Sequence, residues 1–361
     1  MSSSPYSRSQ FASSLLSPLV NPETVEKKHQ TPSTGDTGAE KTSIMSPGIA
    51  PKADPFDDTS SVKEDFTPHE ISLGLRTINL VTIVVPFVAT LGAMFLLWGR
   101  GFNWVHLSIL AVGYSLTVLG VTVGFHRLFT HKSFETSRFM RAILAVLGCM
   151  SVEGPLLKWV AMHRRHHQNS DMDHDPHSPH LHGDGFKGML QGLWHAHAGW
   201  MFEAHAPATT KQVQDLYDDK IIRKISKMFP YWALASLILP GVVAAAFLHT
   251  WTAFALGMLW GGLVRIFLVH HVTWSINSVC HLWGGRPYRS QDESRNNVVF
   301  GILAFGEGWH NNHHAFPTSA RHGLAWWQVD ISYMVITVMK WFGLVWNVRV
   351  PGAAALAAKK R

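Results

Sequence analysis

LRTINLVTIVVPFVATLGAMFLLW (residues 75–98) and WVHLSILAVGYSLTVLGVTVGF (residues 104–125) decide the fold class. Each is an apolar run long enough to cross a hydrocarbon core of about 30 Å as a helix. Only residues 99–103 separate them, so the two read as a transmembrane hairpin. A second pair follows, MFPYWALASLILPGVVAAAFL (228–248) and TAFALGMLWGGLVRIFLVHHVTW (252–274), joined by an equally short connection at His249 to Trp251. With 361 residues, 47% of them hydrophobic, the chain is long enough for a large soluble core, but four such runs in pairs are hard to bury in one. The expected fold is an all-α integral membrane protein with four transmembrane helices in two hairpins.

Basic residues set the orientation, because Lys and Arg concentrate in short loops on the cytoplasmic side. Between Gly124 and Met228 stand thirteen Lys and Arg, including Arg127, Lys132, Arg164, Arg165, Arg223, Lys224 and Lys227, whereas the two tight hairpin connections carry only Arg100. Both chain ends and the long middle segment are therefore expected on the cytoplasmic face, with a net charge of +7 suited to anionic lipid or acidic ligands. Residues 1–65, rich in Ser, Pro, Thr and Gly without apolar periodicity, read as a disordered N-terminal segment. Residues 66–350 form the membrane domain and 351–361 a basic C-terminal tail. Phe11 to Val20 is too short and interrupted for a signal-peptide core, so no cleaved leader is expected. Cys149 and Cys280 form no CxxC pair and read as packing residues. Two further segments, Phe139 to Val160 and Trp326 to Trp346, mix apolar and polar residues and are expected to lie in the headgroup plane.

Of 23 histidines, all but His29, His69 and His106 fall between residues 126 and 322. Three clusters stand out: His126-x4-His131, His163-x2-His166-His167 and His310-x2-His313-His314. In a helix, positions i, i+3 and i+4 share a face, so each of the last two clusters aims three imidazoles at one volume. A spacing of five turns an ideal helix by roughly 140° away from alignment, so the first cluster is expected to straddle a helix end. Neutral imidazole offers a lone pair without a charge to be neutralised, which makes it the commonest side-chain metal ligand. Asn277-Ser-Val-Cys-His281 follows the fourth apolar run and places a ninth imidazole and an amide near the same membrane face. Nine histidines exceed the four ligands of one zinc and fit two ions with four or five ligands each. Imidazole alone does not choose among Zn, Cu, Fe and Ni. A cytoplasmic helical cap holding a di-metal site completes the expected architecture. The scattered His180, His182, His195, His197 and His205 read as exposed-loop residues and are not counted as ligands.

HRLFTH (126–131), HRRHH (163–167), WSINSVCH (274–281) and GEGWHNNHHAFP (306–317) together resemble the histidine boxes of integral-membrane fatty acyl desaturases, specifically the acyl-CoA Δ9 (stearoyl-CoA type) branch. The resemblance runs from about residue 75 to 346. It implies an oxidoreductase with a di-iron centre that uses O2 to remove two hydrogens from a saturated acyl chain, leaving a cis double bond and water. The implied iron ligands are His126, His131, His163, His166, His167, His281, His310, His313 and His314, with Asn277 holding one iron through a water. Trp159, Thr273 and Trp274 would stand near the bend of the substrate tunnel. Glu307 and Asp171 are candidates to orient ligand imidazoles. The family's basic-acidic pair before the second box is replaced here by Ala161-Met162, which leaves headgroup recognition open.

The chain carries no GxGxxG for a flavin or nicotinamide, no four-Cys iron–sulfur spacing and no His-Pro-Gly-Gly of a fused cytochrome b5 domain. Electrons would come from an external donor, a cytochrome b5, a ferredoxin or a flavin/iron–sulfur reductase, attracted by residues such as Arg164, Arg165, Arg223, Lys224 and Lys227. The expected partners are fatty acyl-CoA, membrane lipid and that donor, and no nucleic acid. An acyl-lipid desaturase or a membrane alkyl hydroxylase uses similar boxes and is the alternative reading.

Overall fold

The computed structural model describes residues 71–97, 101–203 and 210–361; the N-terminal segment 1–65 and His205 lie outside them. The first hairpin is α1 (Leu73–Leu97) and α2 (Trp104–Leu119), and the second of these runs on through wider turns to Thr130. Asn103 starts α2 by accepting the backbone N–H groups of Val105 and His106. Only 11% of the apolar window of α1 is buried, and Leu80, Val84, Phe87, Val88 and Leu91 point outward. Such a surface is stable only against lipid.

Between the hairpins lie α3 (Arg138–Cys149), α4 (Leu156–Asn169), α5 (Gly185–His197) and α6 (Lys220–Lys227). The segment 139–160, expected in the headgroup plane with a break at Glu153-Gly154-Pro155, is two helices separated at that break. The α3 helix exposes Phe139 but buries Leu144, Ala145, Gly148 and Cys149. It meets the lower part of the second span where Gly120 faces Gly148: a Cβ at Gly120 would stand 2.3 Å from the Gly148 nitrogen, so only glycine permits the approach. Leu156, Leu157, Val160 and Ala161 of α4 enter the same core and do not face headgroups.

The second hairpin is α7 (Phe229–Leu248) followed by α8 (Trp251–Gly257) and α9 (Arg265–Leu282), which form one continuous span of 32 residues through Met258–Val264. His249 ends α7 in a left-handed conformation with φ 54°, and Thr250 caps α8 by accepting from the Ala253 N–H. The span outruns the expected 252–274, so Asn277 and His281 sit inside its last turns and not after them. The helices α10 (Val298–Leu303), α11 (His310–Ala315), α12 (Ile331–Trp341) and α13 (Ala353–Lys359) complete the cap. A two-stranded antiparallel pair, β1 (Glu135–Thr136) with β2 (Val345–Trp346), ties the end of the cap to the segment leaving the second span. The described residues are thus mostly helical, with four helices among them long and apolar enough to cross a membrane.

Arg127 corrects one part of the charge reading. It is fully buried, donating to Glu307 and Asp330 and to the carbonyls of Ala320 and Thr122. Arg165 is also buried, and Arg164 makes a two-pronged pair with Asp215. Arg127 and Arg165 serve the interior of the cap, whereas the Arg164 pair lies near its surface. Lys220, Lys224 and Lys227 of α6 remain exposed.

Candidate metal centre

The first histidine pair owes its alignment to a local departure from the α-helix. Over Gly120–Thr130 the hydrogen bonds close over five residues, and the His131 N–H donates to the His126 carbonyl at 3.1 Å. That wider turn brings residue 131 back over residue 126, and their rings stand 4.8 Å apart. His131 is also the C-cap residue, so the pair does straddle the helix end. His163, His166 and His167 occupy α4, and His310, His313 and His314 occupy α11, each trio at i, i+3, i+4. His281 comes from the last turn of α9.

The nine imidazoles converge as two donor groups. His126, His131, His163, His167 and His313 form one, and His166, His281, His310 and His314 the other; within each, the ligand atoms lie within 4.8 Å of one another. The clusters interleave, since α4 sends His163 and His167 to the first group and His166 to the second, while α11 sends His313 to the first. The groups are neighbours, with the rings of His167 and His314 stacked at 4.5 Å.

Carboxylates surround them. His166 Nδ1 pairs with Asp175 at 3.0 Å, His281 Nδ1 with Asp171 at 2.8 Å, and His314 Nδ1 with Asp292 at 2.6 Å. His126 Nδ1 lies 2.7 Å from Glu307. A carboxylate acceptor keeps the imidazole proton on Nδ1 and turns the Nε2 lone pair inward. Inward, Nε2 atoms face one another at 3.0–3.1 Å: His126 with His313, His313 with His167, His281 with His310, and His310 with His314. His310 Nε2 thus has two such neighbours and at most one proton to give. Nitrogens about 2.1 Å from a shared ion and at right angles to one another would be about 3.0 Å apart.

The electrostatics agree with that geometry. Burial holds His163, His167, His310 and His313 well below the ordinary histidine range, so they stay neutral donors. Burial opposes ionisation of Asp171, Asp175 and Asp292, but hydrogen bonds and charge from His281, His166 and His314 overcome it and hold all three below the usual carboxylate range. Glu307 is held low by Arg127, against its burial. Buried carboxylates behind imidazoles whose Nε2 atoms converge call for cations at the centre. The residues present could hold two metal ions.

Beside the first donor group opens a cavity of about 430 Å³, in the range of small-molecule sites, lined from α1 by Leu75, Ile78 and Ile83 and reaching His126, His163 and His310. Trp159, Thr273, Trp274 and Asn277 all line it. Trp159 stacks on His163 at 5.0 Å and its Nε1–H donates to Glu153 at 3.0 Å. Thr273 Oγ donates to the carbonyls of Val269 and His270, and Trp274 stacks on His270 at 4.8 Å.

Sequence reading singles out Asp171 and Glu307 among the carboxylates but misses Asp175 and Asp292. It also misses Glu153 on the cavity wall, and His322, whose ring stands 4.6 Å from that of His313 and whose Nδ1 lies 3.2 Å from Glu307. A further correction concerns His195 and His197, read as loop residues. Both lie on α5, the first buried and the second half-buried, with His197 Nε2 2.9 Å from His271 Nδ1.

Similarity to known proteins agrees with this arrangement. The fatty acid desaturase family pattern matches residues 102–331. The chain is 41% identical to a hex-5-enoyl-[acyl-carrier protein] acetylenase of Moorena producens (strain JHB), over 84% of this chain and 96% of that protein. It is 34% identical to an icosanoyl-CoA 5-desaturase of Limnanthes douglasii, over 86% and 87% respectively. To an sn-1 stearoyl-lipid 9-desaturase of Anabaena variabilis it is 35% identical, over 76% of this chain and 94% of that one. With its four long apolar helices and its histidine clusters gathered into one buried centre, the chain belongs to the fatty acid desaturase family.

Proposed function

We propose that this chain is an O2-dependent di-iron desaturase that introduces a cis double bond, at Δ9, into a saturated fatty acyl chain carried as acyl-CoA. The observation that carries the reading is the carboxylate-backed cage of nine imidazoles opening on an apolar cavity. Iron bound there supplies, with O2, the oxidant for an unactivated C–H bond, which no ordinary side chain furnishes. The ligands are His126, His131, His163, His167 and His313 for one ion and His166, His281, His310 and His314 for the other, with Asn277 acting through a water.

The protein's own contribution is position. Leu75, Ile78 and Ile83 give the chain an apolar wall and keep water out. Trp159, Thr273 and Trp274 set the bend, and the distance from that bend to the carboxyl end sets where the double bond falls. Glu153 holds the Trp159 ring through its Nε1–H. Lys158, exposed and on the cavity wall, offers a cation to a CoA or headgroup phosphate.

The metal centre and both chain ends face the cytoplasm in this reading, supported by the exposed Lys220, Lys224 and Lys227 on the segment joining the two hairpins. The same lysines suit an acidic external electron donor, such as a cytochrome b5 or ferredoxin. A lipid-bound acyl chain is the second reading, favoured by the similarity to stearoyl-lipid 9-desaturases.

The test is expression of the full chain in a host lacking its own desaturase, with gas chromatography and mass spectrometry of total fatty acids. New Δ9 monounsaturated acids are expected, and their loss in His166→Ala with the protein still in the membrane. Hydroxy acids in their place would mark a hydroxylase, and no new product from membrane-inserted protein would contradict the proposal.

A further inference from the structure

The segment after the second histidine cluster holds a third constellation of metal-binding side chains. Its geometry begins with glycines. Gly188, Gly192 and His195 fall at i, i+4 and i+7 on one face of α5, and all three are buried. A Cβ at Gly192 would stand 1.8 Å from the Pro179 carbonyl oxygen, and one at Gly188 2.1 Å from that of Gly183. The backbone of 179–183 therefore lies directly on the helix, and this places His182 beside His195, ring centroids 4.5 Å apart. After α5 a tight turn over Gly199–Phe202 brings Glu203 back, its Oε2 3.0 Å from His195 Nδ1.

Two observations mark this as a binding site and not a set of satisfied hydrogen bonds. The donor atoms of His182, His195 and Glu203 all lie within 4.8 Å of one another. The His182 Nδ1 is shut off from solvent without a hydrogen-bond partner, and the His195 Nδ1, also shut off, faces the Glu203 carboxylate at 3.0 Å out of hydrogen-bond alignment. A buried imidazole nitrogen without an aligned partner costs free energy, and an ion held with the Glu203 carboxylate would satisfy both rings.

We propose that His182, His195 and Glu203 form a third metal site, separate from the nine-histidine centre, which takes one zinc-class divalent ion and staples residues 182–203 together. Two imidazoles and one carboxylate suit a borderline ion and leave a fourth position for water. Glu203 is about half exposed, which gives the ion a path from solvent. The stapled segment carries Trp200 and Met201, which line the cavity; the Met201 carbonyl accepts from Asn79 of α1, and the Trp200 ring meets that of His177, which packs 4.5 Å from the ring of His166. The ion would thus fix a wall of the cavity without touching the acyl chain.

The experiment uses the full-length protein in detergent, with its native metal in place, dialysed against zinc ion and counted by plasma mass spectrometry. The wild type should gain one zinc per chain beyond the content of the nine-histidine centre. Glu203→Gln and His182→Ala should each weaken that zinc by about tenfold or more, leave the remaining metal unchanged, and speed proteolysis of the 182–203 segment in zinc-containing buffer. His166→Ala, which strikes only the other centre, should keep the extra zinc. If the wild type takes up no additional zinc, or if both variants bind it as tightly as the wild type, the proposal fails. Glu203→Gln is the safer variant because its side chain is at the surface and the packing under α5 is untouched.

Discussion

His281 Nδ1 and Asp171 Oδ2 stand 2.8 Å apart, and the same carboxylate oxygen accepts the backbone N–H of Glu293 at 2.8 Å. One buried side chain thereby joins the last turn of the fourth span to two separate loops of the cap. Asp171→Asn keeps the shape but no longer prefers the imidazole tautomer that turns Nε2 inward. Metal affinity should fall by about 10–100-fold. The check is iron content after dialysis at graded free iron, where the variant should recover near-normal occupancy and activity when iron is raised.

Arg127 links the second span to Glu307 and Asp330 in a region closed to water. Replacing it with Met takes the arginine cation from two buried carboxylates, leaving Glu307 with His126 and His322 and Asp330 with the backbone N–H groups of His322, Gly323 and Tyr333, a change that costs about 3–5 kcal/mol. The expected result is a protein with a markedly lower unfolding midpoint in detergent, measured by thermal shift. Arg127→Lys should recover only part of the loss, because an ammonium cannot reproduce the fork of donors.

The spans and the imidazole boxes were legible in the sequence because each is a local pattern: a run of apolar residues, or histidines at i, i+3 and i+4. What escaped was non-local. Asp292 carries no spacing that marks it, and Asp175, though it stands in the stretch His174-Asp-Pro-His177 that resembles the family's Asp-Pro-His segment, meets His166 only through the folded loop. Arg127 reads as a loop cation until the wide-turn helix carries it inward. The alignment of His126 with His131 was invisible for a related reason, because α-helical geometry sets them on different sides and only closure over five residues unites them.

Glu153 provides a pH test. Burial beside the cavity pushes its carboxyl up from 4.5 to about 7. A raised acid binds its proton more tightly when folded, so the folded state should lose stability as pH rises from about 4.5 to 7 and level off above. Glu153→Gln removes that slope. Thermal midpoints measured from pH 5 to pH 8 should decline more steeply in the wild type than in the variant.

Trp159 and Thr273 meet at the cavity beside His163. Trp159→Phe keeps the stacked ring but deletes the donor to Glu153, and Thr273→Ala opens space on the cavity wall. Each should shift chain-length preference or double-bond position while leaving iron content intact. Mass spectrometry of derivatised products locates the double bond, and unchanged regiochemistry and chain length in both variants would remove these residues from the substrate site.

Removing metal from the proposed centre should destabilise the cap, because the imidazoles of His166, His281 and His314, each backed by a buried carboxylate, then converge with no cation between their Nε2 atoms. Chelation is expected to lower the unfolding midpoint by several degrees, and added ferrous ion to restore it.

The central claim is that nine imidazoles from four parts of the chain hold two irons, and iron counting on the purified, folded, full-length protein tests it most directly. The account predicts two irons per chain, falling in His166→Ala. A folded protein whose nine-histidine centre holds a single zinc, or no metal at all, would contradict it.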